Sequence, residues 1–335
     1  MNTWRFTPTV IAVSLLLVLV ALGSLAVGAY PVSLAKLMSG TLSDTDWSVL
    51  TTLRAPRVLA ACAGGAAFAL AGAALQALFR NPLADPGLLG VPAAAGLGAA
   101  TALIVAGVGA GLWMGALVGA ALAMMLMLLV ARRTDAGNVG VGALGTTTTL
   151  LLLGIAINAA CAAGLAMLTA LASEGQLKTL SFWMLGSFAS LEWPVVIAMC
   201  VCTVAAALLL QTSASALAAL ALGERAARTV GVDLRPLRFR VATATAAVVA
   251  VVTAFCGGVG FVGLVAPHLA RMAVGASPRK VLPLAMLIGA LLCVLADMLA
   301  RTVAAPIELP VGAITAIIGV PLLVTMVVRG AVRGR

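Results

Sequence analysis

Apolar residues run along this chain in long stretches, with charged residues only at their edges. Seven stretches carry no charged side chain: 8–30, 58–79, 86–131, 136–173, 193–223, 241–267 and 309–328. A helix needs roughly 20 apolar residues to cross a bilayer, so the longer stretches must each hold two helices, or a helix and a loop. The pattern predicts ten spanning helices. The first lies in 8–30 and the second covers 58–79. "GVGAG" at 107–111 divides the third stretch into helices at 90–107 and 112–131. The rest fall at 146–172, 194–211, 241–256, 261–274, 282–300 and 309–328, with a glycine-rich break at 257–260. The expected fold is an all-α polytopic membrane protein, a single transmembrane domain over residues 1–335.

Composition strengthens this reading. The chain is 63% apolar and 9% charged, against about 45–50% and about 25% in soluble domains, so a soluble fold could not hide its apolar surface. Alanine and glycine dominate the apolar runs and aromatics make up 4%. Helices in lipid associate by close packing, which small residues permit. Trp4 and Arg5 before the first run, with small residues at its end, also resemble a signal peptide. That run is longer than the usual core of about 7–15 residues, so it is read as a retained helix. The six cysteines (62, 161, 200, 202, 256 and 293) lie in apolar segments without a CxxC spacing. They read as small packing residues, with no metal site.

Charge sets the orientation. Ten helices place both termini on one side, and arginine and lysine favour cytoplasmic loops. With the termini inside, Arg5, Arg80, Arg132, Arg133, Arg225, Arg228, Arg235, Arg238, Arg240, Arg271, Arg279, Lys280, Arg329, Arg333 and Arg335 are cytoplasmic. Only Lys36, Arg54, Arg57, Lys178 and Arg301 stay outside. This asymmetry accounts for most of the net charge of +10, so nucleic-acid binding is not inferred.

Catalytic constellations are absent. His268 is the single histidine and Tyr30 the single tyrosine, and the ionisable groups at membrane depth are His268, Arg271 and Asp297. His268 follows Pro267 and is expected to satisfy a neighbouring carbonyl. Asp297 precedes Arg301 by four residues, the spacing of a helical ion pair. A proton- or ion-coupling carboxylate is the competing reading. Residues 80–90, "RNPLADPGLLG", form a cytoplasmic turn that is long for a plain connector. In "LGERAARTVGVDLRPLRFR", residues 222–240, Glu224 to Thr229 suit a short helix whose end charges match its dipole. Gly231 ends it and Pro236 suits the start of the next helix. A short charged helix on the cytoplasmic face fits a docking element for a soluble partner; a solvated loop is the competing reading. Trp183 and Trp193 suit interfacial anchors.

Several stretches together resemble the FecCD-type permeases of ABC importers for iron–siderophores, haem and cobalamin. They are "RAPRVLAACAGGAAFALAGAALQALFRNPLADPGLLGV", "WMLGSFASLEW", "LGERAARTVGVD", "GFVGLVAPHLAR" and "ADMLARTVAAPIELPVGAITAIIGVPLL", in family order across most of 54–322. The resemblance implies a non-catalytic membrane subunit of ten helices, with helices 2–5 and 7–10 as inverted repeats. It implies a second permease subunit, two ATPase subunits that bind ATP and Mg, and a periplasmic substrate-binding protein, in the bacterial inner membrane. No P-loop GxxxxGK[ST] occurs in this chain. Arg225 stands where the family often has a second acid, and Gly258 and Val259 stand where "GPIGF" is frequent.

By that resemblance Asn81 and Leu83 of the turn, with Asp85 beside them, close the cytoplasmic mouth of the pathway. The run Thr146, Thr147, Thr148 and Thr149 forms a second gate element; a helix N-cap is the competing reading. Gly223, Glu224, Arg225, Ala226, Ala227, Arg228 and Gly231, within segment 222–233, couple to the ATPase. Arg54, Arg57 and Arg301 receive acids of the binding protein, with anchoring to lipid phosphate as the alternative. The function implied is ATP-driven import of haem or a ferric siderophore, with cobalamin also open, through an identical pair of permeases. The alternative is a secondary transporter driven by an ion gradient, which the scarcity of embedded carboxylates disfavours. A channel ranks third.

Overall fold

The structure, a computed structural model, describes residues 6–28, 30, 39–106, 110–135, 146–189, 191–305 and 307–333. Every regular element among them is helical. In chain order these are α1 (Phe6–Ala26), α2 (Asp44–Ser48), a π-helical turn (Val49–Arg54), α3 (Ala55–Phe79), a 3-10 turn (Pro86–Leu89), α4 (Val91–Ala106), α5 (Ala110–Asp135) and α6 (Thr146–Leu171). There follow α7 (Glu174–Met184), α8 (Trp193–Thr212), α9 (Ala214–Ala221), α10 (Glu224–Thr229), α11 (Leu234–Cys256), α12 (Val262–Val274), α13 (Pro278–Ala300) and α14 (Val311–Arg333). Seven helices among the described residues are long and apolar enough to cross a membrane, and three shorter apolar helices accompany them.

The second helix departs most from the sequence expectation. It is continuous from Asp44 to Phe79, 36 residues, about 54 Å at 1.5 Å per residue. That exceeds a hydrocarbon core of about 30 Å, so its first turns extend beyond the apolar layer. Ser43 starts it with a capping box to Asp46. The π turn lies immediately before Pro56, whose ring and missing N–H disturb regular α bonding. Two short helices, α7 and α9, were not expected, because neither has the length or hydropathy of a span. Helices α11 and α13 start earlier than expected, at Leu234 and Pro278, because a capping Asp233 and a proline at a helix start outweigh the charges that follow. Of the expected break at 107–111, residues 107–109 lie outside the described residues and 110–111 already belong to α5.

Helix α3 occupies the centre and packs against α8, α9, α11, α12 and α13. Most of its side chains are buried, many of them alanine or glycine, with Phe68, Leu70, Leu75 and Leu78 among them, while Leu59 stays exposed. Helices α1 and α8 turn Leu15, Leu19, Val201 and Leu208 outward, where lipid tails solvate them. Inside, the backbones touch. A Cβ on Gly65 would collide with the Gly289 carbonyl of α13, and one on Gly72 with the Gly263 carbonyl of α12. Gly98 of α4 meets Gly115 of α5 in the same way.

The basic residues sort to the two ends of the bundle. The near end gathers Lys280, 6.0 Å from the Phe6 ring, and Arg279, whose Nε donates to Ser215 Oγ at 3.1 Å. At the far end Arg54 reaches the end of α1, its Nη1 donating to the Leu25 carbonyl at 2.6 Å.

Candidate functional site

The 80–90 turn is a built structure held against three helices. Arg80 leaves α3 with a left-handed backbone, φ 50°. Asn81 Oδ1 accepts from Leu83 N–H at 2.9 Å, and Asp85 Oδ1 from Gly87 N–H at 2.8 Å. These side-chain bonds fold the backbone locally. Buried Gln76 of α3 donates through Nε2 to the carbonyls of Ala84 and Gly263, at 3.2 and 3.1 Å. Asn158 Nδ2 of α6 donates to the Gly87 carbonyl at 3.1 Å, and Gly154 gives the Leu88 carbonyl its room. The turn thus joins α3, α6 and α12. Leu83 is exposed at its tip. Burial pushes the Asp85 carboxyl up from its ordinary value, and the Gly87 N–H opposes this.

Among the threonines, Thr146 begins α6, Thr148 is exposed and Thr149 half-buried. The side chains of Thr146 and Thr147 lie outside the described residues. The turn meets α6 farther along, at Gly154 and Asn158. Sequence reasoning passed over Gln76 and Asn158, although a lone amide in an apolar run is a legible signal, since a buried amide must find partners.

Also at the near end, α9, α10 and α11 form a connected corner. Gly223, at φ 114°, precedes α10. Gly231, at φ 83°, follows it, and Val232 N–H donates to the Ala227 carbonyl at 3.0 Å, closing the helix in a Schellman pattern. Ala227 is buried, and Arg238 Nη2 of α11 donates to Glu224 Oε1 at 2.7 Å. This leaves Arg225 and Arg228 exposed beside Leu222 and Val230, which are 81% and 69% exposed. Ala226 is half-buried. Glu224 binds Arg238 as well as meeting the helix dipole, and Pro236 sits within the first turn of α11, which starts at Leu234.

The far-end arginines require a correction. As docking residues Arg54, Arg57 and Arg301 would face a partner's acids; all three are buried, with exposures of 6–9%. Arg54 donates to the carbonyls of Leu25 and Ala26, covering C-terminal carbonyls of α1 that lack helical partners, and to the carbonyl of Tyr30 beyond the helix. Arg57 Nε donates to both oxygens of Asp297, at 2.9 and 3.1 Å, and its Nη1 to Glu308 Oε1 at 2.7 Å. Arg301 donates to Ser24 and lies 3.6 Å from Asp297. The i,i+4 pair is therefore the looser of two, and Asp297, 1% exposed, belongs mainly to Arg57. Desolvated carbonyls and a buried carboxylate need donors, and these guanidinium groups supply them. The exposed charge of the cluster is Glu308, which sequence reasoning did not single out. Tyr30 Oη donates to Asp46 Oδ1 at 2.9 Å, and that bond raises the phenol above its ordinary value.

Three chain breaks meet beside the ends of α7 and α11 and the start of α14. Val311 and Gly312 donate backbone N–H groups to the carbonyls of Gly186 and Leu185, each at 3.1 Å, and Ser187 N–H donates to the Cys256 carbonyl at 2.9 Å. Phe188 is fully buried there. Helix interruptions in an apolar bundle are tolerated where protein satisfies the freed backbone groups. Trp183 and Trp193 also donate to backbone, to Ala254 and Thr51 carbonyls. Among the described residues no cluster of ligating side chains could hold a metal ion.

The sequence profile of the FecCD transport family matches residues 15–329. The chain belongs to the FecCD transport family. It is 37% identical over 327 residues to the hemin transport system permease protein HmuU of Yersinia pestis, covering 94% of this chain and 93% of that protein. It is 35% identical over 334 residues to the vitamin B12 import system permease protein BtuC of Salmonella paratyphi A, covering 96% and 95%. Among solved structures, an inward-facing metal-chelate type ABC transporter superposes with a TM-score of 0.86 at 30% identity, over 97% of this chain and 100% of that one. As a member of this family the chain is the membrane-spanning permease of an ABC importer, in line with the resemblance read in its motifs. Nothing favours the ion-gradient alternative.

Proposed function

We propose that this permease imports haem into a bacterial cytoplasm across the inner membrane, with ferric siderophores and cobalamin as the related cargoes to test against it. The observation that carries the cargo class is the near full-length similarity to a hemin permease and a vitamin B12 permease. The seven long apolar helices and three shorter ones make up ten spans, with helices 2–5 and 7–10 as inverted repeats. The near end, with most of the basic residues, faces the cytoplasm. Two copies of the chain form the pathway, and two ATPase subunits hold ATP and Mg. A periplasmic binding protein delivers cargo at the far end, and this chain itself performs no catalysis.

Within that assembly α10 is the coupling helix. Its support is the capped corner, which fixes α10 on α11 while Arg225, Arg228, Leu222 and Val230 project. An apolar centre flanked by charge suits insertion into a groove of a soluble partner. The 80–90 turn, with Asn81 and Leu83, and the threonine run at the head of α6 narrow the near mouth. Their support is the tie of the turn to α6 through Asn158. At the far end the binding protein meets a rim that Arg54, Arg57 and Arg301 shape from within, with Glu308 as its exposed charge. Reconstitution with the ATPase partner tests the cargo: haem uptake that requires ATP and ignores an uncoupler is expected, and uptake that follows an imposed ion gradient without ATP rejects the reading.

A further inference from the structure

A cavity of about 270 Å³ opens at the near end between α3, α9, α12 and α13. Its lining includes Gln76, Arg80, Pro82, Ala221, Arg271 and Leu282. Two arginines therefore share one small space, and no carboxylate is among the lining residues. At about 30 Å³ per liquid water, the space would hold about nine waters or one compact polar group.

Two of the lining side chains have polar atoms without partners. Gln76 is 4% exposed, and its Nε2 is fixed by two carbonyls, at 3.2 and 3.1 Å. Only the amide nitrogen can donate to them, so the assignment of the amide is determined. Its Oε1 is then left buried without a donor. Arg271, in the last turn of α12, has a buried Nη2 without an acceptor. A buried donor or acceptor left unpaired is unfavourable, more so when charged. Both residues line the cavity, and the guanidinium groups of Arg80 and Arg271, with no carboxylate beside them, call for a ligand with an anionic oxygen.

We infer that this cavity binds the headgroup of an anionic phospholipid, with the phosphate on Arg271 and Arg80. Phosphatidylglycerol carries such a phosphate. The surroundings favour a lipid over a soluble anion: Met272, next in sequence to lining residue Arg271, is 66% exposed, which suits an acyl chain beside the polar group. Basic pockets between spanning helices are known sites for anionic lipid heads. The site adjoins the coupling corner, since Arg80 Nη1 would lie 3.9 Å from a Cβ on Gly223. A headgroup bound there would therefore link the 80–90 turn to the start of α10.

The test uses the full chain, purified in detergent and exchanged into an equimolar mixture of phosphatidylglycerol and phosphatidylcholine, with retained lipid counted by native mass spectrometry. The wild type should keep one phosphatidylglycerol in preference to phosphatidylcholine. Arg271→Gln should lower that preference by about tenfold, the size of one charge-assisted hydrogen bond. Arg80→Gln alters an exposed side chain and should also lower it, so the inference stays testable if Arg271→Gln does not fold. Arg279→Gln removes the same charge from the same end outside the cavity and should leave retention unchanged. Equal retention of both lipids, or an equal loss in Arg279→Gln, overturns the inference. Competition by inorganic phosphate, with no preference between the lipids, would assign the site to a soluble anion and overturn the lipid.

Discussion

Asp297 ties the far end together, because one buried carboxylate faces two guanidinium groups. It is 1% exposed, and removing its charge leaves Arg57 buried with only the half-exposed Glu308 as counter-charge. Breaking such a buried pair costs about 3–5 kcal/mol, so Asp297→Ala should sharply lower the thermal stability of the purified chain. Glu308→Gln touches the same arginine from a side chain 48% exposed and should cost about 0–1 kcal/mol. Equal losses in the two variants would contradict the burial argument. Asp85 gives a pH test. Burial holds its carboxyl above the ordinary value, opposed by the Gly87 N–H, so the folded state favours the protonated acid. That contribution is complete below the ordinary carboxylate value of about 3.9 and is lost as pH rises through the raised value. Asp85→Asn keeps an oxygen to accept from Gly87 and removes the charge, so its melting temperature should fall less than the wild type's across that window. An unchanged pH dependence would show that Asp85 is not the group responsible. Much at this scale was hidden in the sequence. The spacing of Asp297 and Arg301 revealed a pair, but the stronger partner, Arg57, is 240 positions away, a distance no local pattern spans. The arginines likewise read as surface charge because the carbonyls they satisfy carry no sequence signal.

Helix α10 owes its place to two glycines with positive φ and to one ion pair. Gly231 lies at φ 83°, where a β-branched residue is strained. Gly231→Val should therefore misplace the exposed Arg225 and Arg228, reducing coupling of ATPase activity to transport while membrane insertion persists. Unchanged stimulation and uptake in that variant would remove α10 from the coupling role. Helix crossings form a second group. A Cβ on Gly72 would strike the Gly263 backbone carbonyl, which cannot swing away as a side chain can. Gly72→Ala should cost about 1–3 kcal/mol by overpacking, visible as a lower melting temperature, whereas Gly96→Ala, with open space at its Cβ, should be nearly silent. Charge-free runs located the spanning helices well, since lipid demands long apolar segments. The runs failed where length was not the criterion. Helices α7 and α9 are short, and the early start of the second helix at Asp44 depends on a Ser43 cap that precedes acidic and polar residues.

At the scale of the whole molecule, two charged ends enclose a bundle whose interior combines close glycine backbone contacts with alanine and larger aliphatic side chains. The proposed orientation rests on summed charge, a property legible in the sequence. The family was legible too, since its motifs lie where the structure needs them: the turn at 80–90, the corner at 222–233, and the meeting of 185–188 with 256 and 311–312. The cargo was not, because the same motifs are shared by permeases for different cargoes, a hemin permease and a vitamin B12 permease among them. The most direct measurement of the central claim is uptake into proteoliposomes that contain this permease and its ATPase, supplied with haem and the binding protein. Haem should accumulate only with ATP and Mg, at a rate unaffected by a protonophore and abolished by Gly231→Val. Accumulation driven by a pH or sodium gradient in the absence of ATP would contradict the account.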